Sequence, residues 1–207
     1  MTWSAEKLRD FFFHYDPSNV NHVKAVDLLQ AEAPDLMKDE ADWVALYRKP
    51  VGYDQAVSIA TPFIASFEGF STSVYKCPAG VYTIGYGTTH YPDGTLVYPG
   101  DPDISQKTGQ SYLSHEVKVV TVPVLASTIP TWADMNPNQQ AAIISFGYNL
   151  GAYFYGSNGF ATITEALRTK ENWHNVPSAL LLYVNPGSSF EAGLRRRRQA
   201  EGDLWLK

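Results

Sequence analysis

The sequence predicts an α+β fold, because strand patterns come early in its main part and helical patterns fill the remainder. Between residues 81 and 98, side chains alternate with period two on either side of a turn signal, which is typical of a hairpin. After Ser105 the pattern becomes helical and stays so to the end of the chain. We therefore expect a small antiparallel sheet lobe and a larger helical lobe with a buried central helix.

Residues 1–50 predict a small helical extension, and residues 53–207 predict the main domain. Turn-forming residues and prolines divide the extension into three helical stretches. These stretches cover about residues 5–15, 20–33 and 35–47, and a linker follows at 49–52. The aromatic side chains of the extension suffice for a small core.

The first half of the main domain predicts one helix and one hairpin. The helix begins near Ser58 or Thr61 and ends at Glu68, where Gly69 can supply the left-handed residue that closes a helix. A strand is expected over 81–87, with Tyr82, Ile84 and Tyr86 on one face. Residues 91–95 form a strong turn signal, and the returning strand is expected over 96–98.

The second half predicts the central helix. Asn136 is a favourable cap, a proline takes the first helical position, and a glutamine lies three residues after the cap. The helix continues through 140–150 with apolar residues on nearly every side, and Gly151 ends it, so we expect it to be buried. Further helices are expected near 161–169, 171–183 and 188–205.

Composition excludes several classes of protein. The chain of 207 residues carries a net charge of −5, which argues against binding to nucleic acid. Its one cysteine rules out an internal disulfide, and its five histidines lack metal-site spacing, so no cofactor or metal is expected. No apolar run approaches the roughly 18–20 residues of a membrane span, and no signal peptide is recognisable. We expect a soluble protein made in a cytoplasm.

The candidate site residues lie between the first helix and the strand. Glu68 ends a helix with a buried face, where the helix dipole and partial burial both favour a protonated carboxyl. Thr83 shares one face of the predicted strand with Gly85 and Gly87. Because these glycines lack side chains, a polymer could lie against the backbone there. Cys77 lies in the segment that joins helix and strand, which is expected to be a short loop. Taken singly, each residue also has an ordinary structural interpretation, as a solvated acid, a buried thiol or a bulge.

Together these residues carry a resemblance to a known family. The spacing Glu-x8-Cys-x5-Thr resembles that of the phage-type lysozymes, or endolysins, of glycoside hydrolase family 24. Four motifs occur in the family's order, over roughly residues 57–207: 67–70, 82–89, 138–151 and 193–201. The resemblance implies a lysozyme-like fold and cleavage of the β-1,4 bond between N-acetylmuramic acid and N-acetylglucosamine in bacterial peptidoglycan.

The resemblance also implies roles for individual residues. Glu68 would be the general acid, and Cys77 and Thr83 would position the attacking water. Cys77 stands where many members have aspartate, so we expect it to act as a polar or partly ionised group. Arg196 is the best match for the arginine that reaches the catalytic glutamate, followed by Arg197 and Arg198.

Two further residues are expected to contact the sugar, namely Tyr148 and Asn149 near the end of the central helix. Other polar residues have simpler interpretations. His90 is expected to be exposed, and Asp93, Asp101 and Asp103 lack the spacing of a calcium loop and are expected to form turns.

Two other functions remain open at this point. A lytic transglycosylase would use the same acid without adding water, and a virion-associated structural or wall-binding protein would have a weak site. We expect a monomer that acts on peptidoglycan without membrane insertion, held in the host cytoplasm until a holin opens the inner membrane, or else carried by the virion. The extension at 1–50 could bind wall polymer, dock to a phage particle, or pack on the main domain.

Overall fold

The computed structural model describes residues 53–77 and 80–207. The three helical stretches and the linker expected within residues 1–52 lie outside the described residues. The described part contains seven α-helices: α1 (Asp54–Ala65), α2 (Gln106–Glu116), α3 (Val122–Thr128), α4 (Pro137–Leu150), α5 (Ala161–Arg168), α6 (Val176–Leu180) and α7 (Glu191–Trp205). It has two strands, β1 (Ser71–Lys76) and β2 (Tyr82–Gly85). The predicted α+β class is confirmed.

Four segments of π-helix or 3₁₀ helix connect these elements. A five-residue π-helix, Val117–Thr121, joins α2 directly to α3. Three 3₁₀ turns lie at Trp132–Asp134, Ala152–Phe154 and Lys170–Asn175. No helix of the described residues is long and apolar enough to cross a membrane.

Helix α4 is the buried centre of the helical lobe, as the sequence predicts. The Asn136 side chain accepts from the backbone N–H groups of Asn138 and Gln139, and the Gln139 side chain accepts from the Asn136 N–H, which completes a capping box. Residues 140–147 are all buried. Both α1 and α7 pack against α4, and this packing brings the two ends of the domain together at one helix.

Helix α1 differs from its predicted bounds at both ends. It begins at Asp54, because the hydroxyls of Ser58 and Thr61 donate to carbonyls one turn earlier and do not cap a helix start. It ends at Ala65, and a turn then leads to Glu68, whose N–H donates to Ile64 O at 3.1 Å. Glu68 therefore lies just beyond the helix, still bonded to its last turn.

The sheet has one strand, β1, that the sequence did not predict, and its strand β2 is shorter than the predicted 81–87. Strand β1 occupies a segment that was expected to be a loop, because its mostly polar, exposed residues give no apolar alternation. It pairs antiparallel with β2, with Ser71 opposite Gly85 and Tyr75 opposite Thr83. Strand β2 stops at Gly85, whose φ of +66° leaves the extended region.

The predicted turn at 91–95 is formed, and Tyr91 N–H donates to Thr95 O at 2.8 Å. The returning strand at 96–98 is wrong, since only an isolated bridge joins His90 to Leu96. The predicted helix at 171–183 is likewise replaced by a 3₁₀ turn and the short α6, because Pro177 lies in the first turn of α6 and has no N–H to continue a helix from before it.

Candidate active site

Glu68 lies on the wall of an open cleft of about 370 Å³. The cleft is bounded by three segments that the fold brings together: the turn after α1, strand β1, and the turn after β2. Its lining residues are 68–71, Tyr75, Tyr86 and Gly87. The Glu68 side chain is 28% exposed, so its carboxyl is reachable from the cleft although most of the side chain is covered.

Arg197 holds the Glu68 carboxyl. Its Nη1 donates to Glu68 Oε1 at 2.6 Å, and its guanidinium lies over the Phe67 ring, 5.5 Å from the centroid. The sequence favoured Arg196 for this contact, but Arg196 is exposed. The difference arises from helix geometry, because residues 197, 198 and 201 share the buried face of α7, whereas its exposed face carries 195 and 196.

Behind this pair lies a buried network of charges. Glu201 Oε1 accepts from Ser145 Oγ at 2.7 Å and from Arg197 Nε at 3.3 Å. Arg197 Nη2 also donates to the Ser145 carbonyl at 3.2 Å. Glu201 and Ser145 are fully buried. Burial raises the pKa of the Glu201 carboxyl, and the two arginines and the Ser145 hydroxyl oppose that rise.

Arg198 completes the network on its far side. Its Nη1 lies 2.8 Å from Glu201 Oε2, and its Nη2 donates to Asn149 Oδ1. Its guanidinium lies 4.8 Å from the centroid of the Phe146 ring. Burial lowers the pKa of Arg198 to about 10, so it stays cationic at neutral pH. Asn149, which the sequence associated with sugar binding, thus has its amide oxygen bonded to Arg198.

Cys77 and Thr83 meet at one carbonyl. The Cys77 N–H donates to Val81 O at 2.9 Å, and the Thr83 hydroxyl donates to the same oxygen at 3.1 Å. Cys77 directly follows β1 and is partly exposed, whereas Thr83 on β2 is 3% exposed. Thr83 pairs with Tyr75, a residue of the cleft wall. The sheet therefore brings together two of the residues whose spacing carried the resemblance.

Tyr148 lies beneath the floor of the cleft. Its hydroxyl donates to Tyr86 O at 3.0 Å, and a Cβ on Gly87 would meet that hydroxyl oxygen at 3.3 Å. Gly87 has a φ of +111°, so both its conformation and this close approach favour glycine. Burial raises the pKa of the Tyr148 phenol, and the carboxylates of Glu116 and Glu68 add to the effect.

Sequence reasoning missed three residues of this site: Glu116, Ser145 and Glu201. The spacing of Glu201, four residues after Arg197 and three after Arg198, is the helical spacing of ion pairs and could have indicated its role. Burial raises the pKa of the Glu116 carboxyl to about 7, with a further contribution from Glu68. No pattern in the sequence distinguishes Glu116 from an exposed acid.

The other polar residues singled out by sequence lie in turns. Asp93 accepts from the N–H and hydroxyl of Thr95, and Asp101 accepts from Tyr98 N–H and Tyr91 Oη. His90 is exposed, with Nδ1 3.0 Å from Thr89 Oγ1. Within residues 53–77 and 80–207, no three His, Cys, Asp or Glu side chains group together as metal ligands.

The sequence model of the phage lysozyme family matches residues 65–201, which span the cleft, the central helix and the arginine helix. The chain belongs to the phage lysozyme family. Enzymes of this family are hydrolases that degrade peptidoglycan, and membership places this chain among the lysozyme-type hydrolases that act on peptidoglycan.

Individual relatives agree with this assignment. The chain is 28% identical over 154 residues to the SAR-endolysin of Haemophilus phage HP1, covering 71% of this chain and 78% of the relative. It is 30% identical over 147 residues to an endolysin of Acyrthosiphon pisum secondary endosymbiont phage 1, covering 69% of this chain and 91% of that protein.

Solved structures share the fold. The endolysin of Escherichia coli O157:H7 phage FAHEc1 superposes with a TM-score of 0.58 at 26% identity, covering 72% of this chain and 91% of the other. A variant of P22 lysozyme superposes with a TM-score of 0.60 at 25% identity, covering 72% of this chain and 97% of the other. The lysozyme-like architecture predicted from the motifs is confirmed.

Proposed function

We propose that this phage lysozyme is a muramidase that hydrolyses the β-1,4 bond between N-acetylmuramic acid and N-acetylglucosamine. The observation that carries the proposal is the position of Glu68, whose carboxyl opens into the cleft while Arg197 fixes it from behind. A general acid must be held in one orientation and must be accessible to substrate, and the bond from Arg197 and the opening into the cleft support this role for Glu68.

In the proposed reaction Glu68 gives its proton to the glycosidic oxygen as the carbon–oxygen bond breaks. The sugar passes through an oxocarbenium-like transition state, and a water adds to the anomeric carbon from the opposite face. That water releases a proton to solvent, and Glu68 is reprotonated from solvent. Arg197 acts as a positioning residue, because a planar guanidinium bonded to Glu68, Ser145 and Glu201 can adopt few orientations.

We assign the placement of the water to Thr83 and Cys77. The Thr83 proton is already donated to Val81 O, so its oxygen is left with lone pairs that accept from water. A water that donates to Thr83 keeps its own lone pair for attack. Cys77 is held at the same carbonyl, and its thiol offers a second polar contact, with more negative charge when ionised.

Tyr148 and Asn149 support the cleft in this proposal. The Tyr148 hydroxyl is bonded to Tyr86 O, in the turn after β2, and the Asn149 amide oxygen is bonded to Arg198 of α7. These two bonds connect α4 to both neighbouring elements. We propose that both residues affect sugar binding by holding these neighbours in place.

The acid is tested by comparing wild type with Glu68→Gln on purified peptidoglycan. Wild type should release muropeptides, and Glu68→Gln should lose at least about 10²-fold in kcat/KM, the lower end of the usual contribution of a general acid. Glu165→Gln is the matched control, because Glu165 is an exposed acid on α5. Equal activity of Glu68→Gln and wild type would remove Glu68 from the mechanism.

The fate of the sugar separates hydrolysis from transglycosylation. Mass spectrometry of the released muropeptides should show reducing ends that have gained water. Mainly anhydro ends would replace the muramidase proposal by a lytic transglycosylase. Absence of any released product from well-folded wild type would favour a structural or wall-binding role.

Cys77 is tested by two substitutions at the same position. Cys77→Asp should preserve lysis, because a carboxylate can orient water and stabilise positive charge. Cys77→Ala should weaken it, because the alanine side chain offers water no polar contact. Equal activity of both variants and wild type would show that Cys77 takes no part in placing the water.

We propose that residues 53–207 are the catalytic domain and that residues 1–50 form a separate extension. We further propose a monomer that waits in the host cytoplasm and reaches the wall through a holin-dependent opening, with carriage by the virion as the competing route. Deleting residues 1–50 and measuring turnover and pelleting with cell walls tests the extension. Loss of pelleting with unchanged turnover would indicate a targeting module, whereas unchanged pelleting would argue against one.

A further inference from the structure

Ser145 carries a hydroxyl within the buried, mostly apolar run of helix α4. It is fully buried, and so are its neighbours Ile144 and Phe146. A buried hydroxyl costs free energy unless it is hydrogen-bonded, and serine favours a helix less than alanine does. Ser145 is therefore accommodated at the centre of this helix because its polar atoms have partners there.

The partners of Ser145 are Glu201 and Arg197 of α7. Its hydroxyl donates to Glu201 Oε1 at 2.7 Å and accepts from Arg197 Nε and Nη2, each at 3.3 Å. Its backbone carbonyl accepts from Arg197 Nη2 at 3.2 Å. Glu201 Oε1 accepts from Arg197 Nε at 3.3 Å. Ser145 and Glu201 therefore hold the Nε–Nη2 edge of one guanidinium.

The third nitrogen of the same guanidinium contacts the acid in the cleft. Arg197 Nη1 donates to Glu68 Oε1 at 2.6 Å. A guanidinium is planar and rigid, so fixing Nε and Nη2 also fixes the direction of Nη1. Glu201 lies one helical turn after Arg197 and is itself paired with Arg198 at 2.8 Å. A chain of bonds thus runs from the buried contact of α4 with α7 to the carboxyl of Glu68.

We propose that Ser145 and Glu201 are positioning residues for the reaction, which orient Arg197 and through it hold the Glu68 carboxyl in a fixed direction in the cleft. The proposal rests on the assignment of Glu68 as the general acid. Ser145 and Glu201 are fully buried, so they act on the sugar only through Arg197. Catalysis is sensitive to such action, because misplacing a reacting group by about 1 Å costs about 10²-fold in rate.

The first test is Ser145→Ala, which removes the hydroxyl and keeps the carbonyl that accepts from Arg197. On soluble peptidoglycan fragments, kcat should fall by about 10-fold and KM should stay within about twofold of wild type, because the alignment of the acid changes and the binding surface does not. Glu201→Gln also removes the charge that pairs with both arginines, so its kcat should fall further, by about 10²-fold.

Thr131→Val is the matched control, because it removes another buried hydroxyl. The Thr131 hydroxyl donates to Leu167 O at 2.7 Å and accepts from Trp173 Nε1 at 3.4 Å, and these partners lie outside the set of residues that line the cleft. Thr131→Val should lower Tm as Ser145→Ala does, and its kcat should stay within about twofold of wild type. Equal falls of kcat in the two variants would show that Ser145 acts on stability alone.

A double-mutant cycle tests whether Ser145 acts through the guanidinium. Arg197→Lys replaces the planar group by an ammonium that Ser145 cannot orient in the same way. Adding Ser145→Ala to Arg197→Lys should therefore lower kcat by about twofold or less, compared with about 10-fold in wild type. Equal falls of kcat in the two backgrounds would overturn the proposal, because Ser145 would then act independently of Arg197.

A further measurement needs no substrate. In nitrogen-15 NMR of the arginine side chains, restricted rotation of the Arg197 guanidinium should give separate Nη1 and Nη2 signals in wild type and in Thr131→Val. Ser145→Ala should broaden or merge these signals, because one edge of the guanidinium has lost its bonds to the hydroxyl. Unchanged signals in Ser145→Ala would refute the orienting role.

The two proposals fail differently. If Glu68→Gln remains active, the assigned acid is wrong, and the catalytic role of Ser145 and Glu201 is lost with it. If Glu68→Gln is inactive but Ser145→Ala has wild-type kcat, only the positioning role is refuted. If Glu201→Gln does not fold, Ser145→Ala and its cycle with Arg197→Lys still decide the question.

Discussion

Replacing Arg197 by methionine removes the cation that joins Glu68 to the buried Glu201 of α7 and to Ser145 of α4. Arg197 is 4% exposed and Glu201 is fully buried, so the substitution breaks a desolvated ion pair. Removing one partner of a buried pair costs about 3–5 kcal/mol. We expect a loss of stability at the low end of this range, about 3 kcal/mol. Glu201 still has Arg198 at 2.8 Å and Ser145 at 2.7 Å as partners, and Glu68 is 28% exposed, so water can solvate its carboxyl.

For a protein of this size, about 3 kcal/mol corresponds to a fall in Tm of roughly 6–12 °C, which calorimetry resolves easily. The matched control is Arg195→Met, from the same run of arginines. Arg195 pairs with Glu191 at 2.8 Å, but its side chain is 57% exposed, so the loss should be at most about 1 kcal/mol. Arg197→Lys should recover only part of the loss, because one ammonium cannot reproduce the guanidinium's bonds to three residues.

The link to the site is measured by a double-mutant cycle with Glu68→Gln. The Arg197→Met loss should be smaller in the Glu68→Gln background, because part of the interaction has already been removed. A fall in Tm below about 2 °C for Arg197→Met, or equal losses for Arg195→Met and Arg197→Met, would refute the network as a stabilising unit.

Three further predictions concern stability. The pKa of Glu116 in the folded protein, about 7, lies above its ordinary 4.5, so its contribution to stability is full below pH 4.5 and is lost as pH rises through 7. In urea unfolding, Glu116→Gln should therefore gain up to about 3 kcal/mol of stability relative to wild type over that pH range. A gain independent of pH would contradict the raised pKa. Gly87→Ala should lower Tm more than Gly94→Ala, because both positions have positive φ but only the first would place a Cβ near the Tyr148 hydroxyl. Equal losses of Tm in the two variants would exclude that contact as the cause. Asn136→Ala should cost about 1 kcal/mol by removing the cap of α4, and no change in the urea midpoint would show that the cap is dispensable.

The sequence was most informative where structure depends on neighbouring residues. The Asn136 capping box, the apolar run of α4 and the turn at 91–95 are local signals, and all three were confirmed. It was least informative about a strand that forms only because another strand supplies its hydrogen bonds. Strand β1 has polar, exposed residues that become a strand because β2 supplies its hydrogen bonds.

At the site, spacing along the chain identified Glu68 as a candidate acid and Cys77 and Thr83 as candidates for holding the water. Local sequence could not decide which of four consecutive arginines meets Glu68, because that depends on the rotation of α7 against α4. Packing chose Arg197 and turned Arg196 toward solvent. The same packing buried Glu201, whose pKa is set by desolvation and by the charges of the two arginines beside it. Such properties arise from residues far apart in the chain and exist only once the tertiary structure has formed.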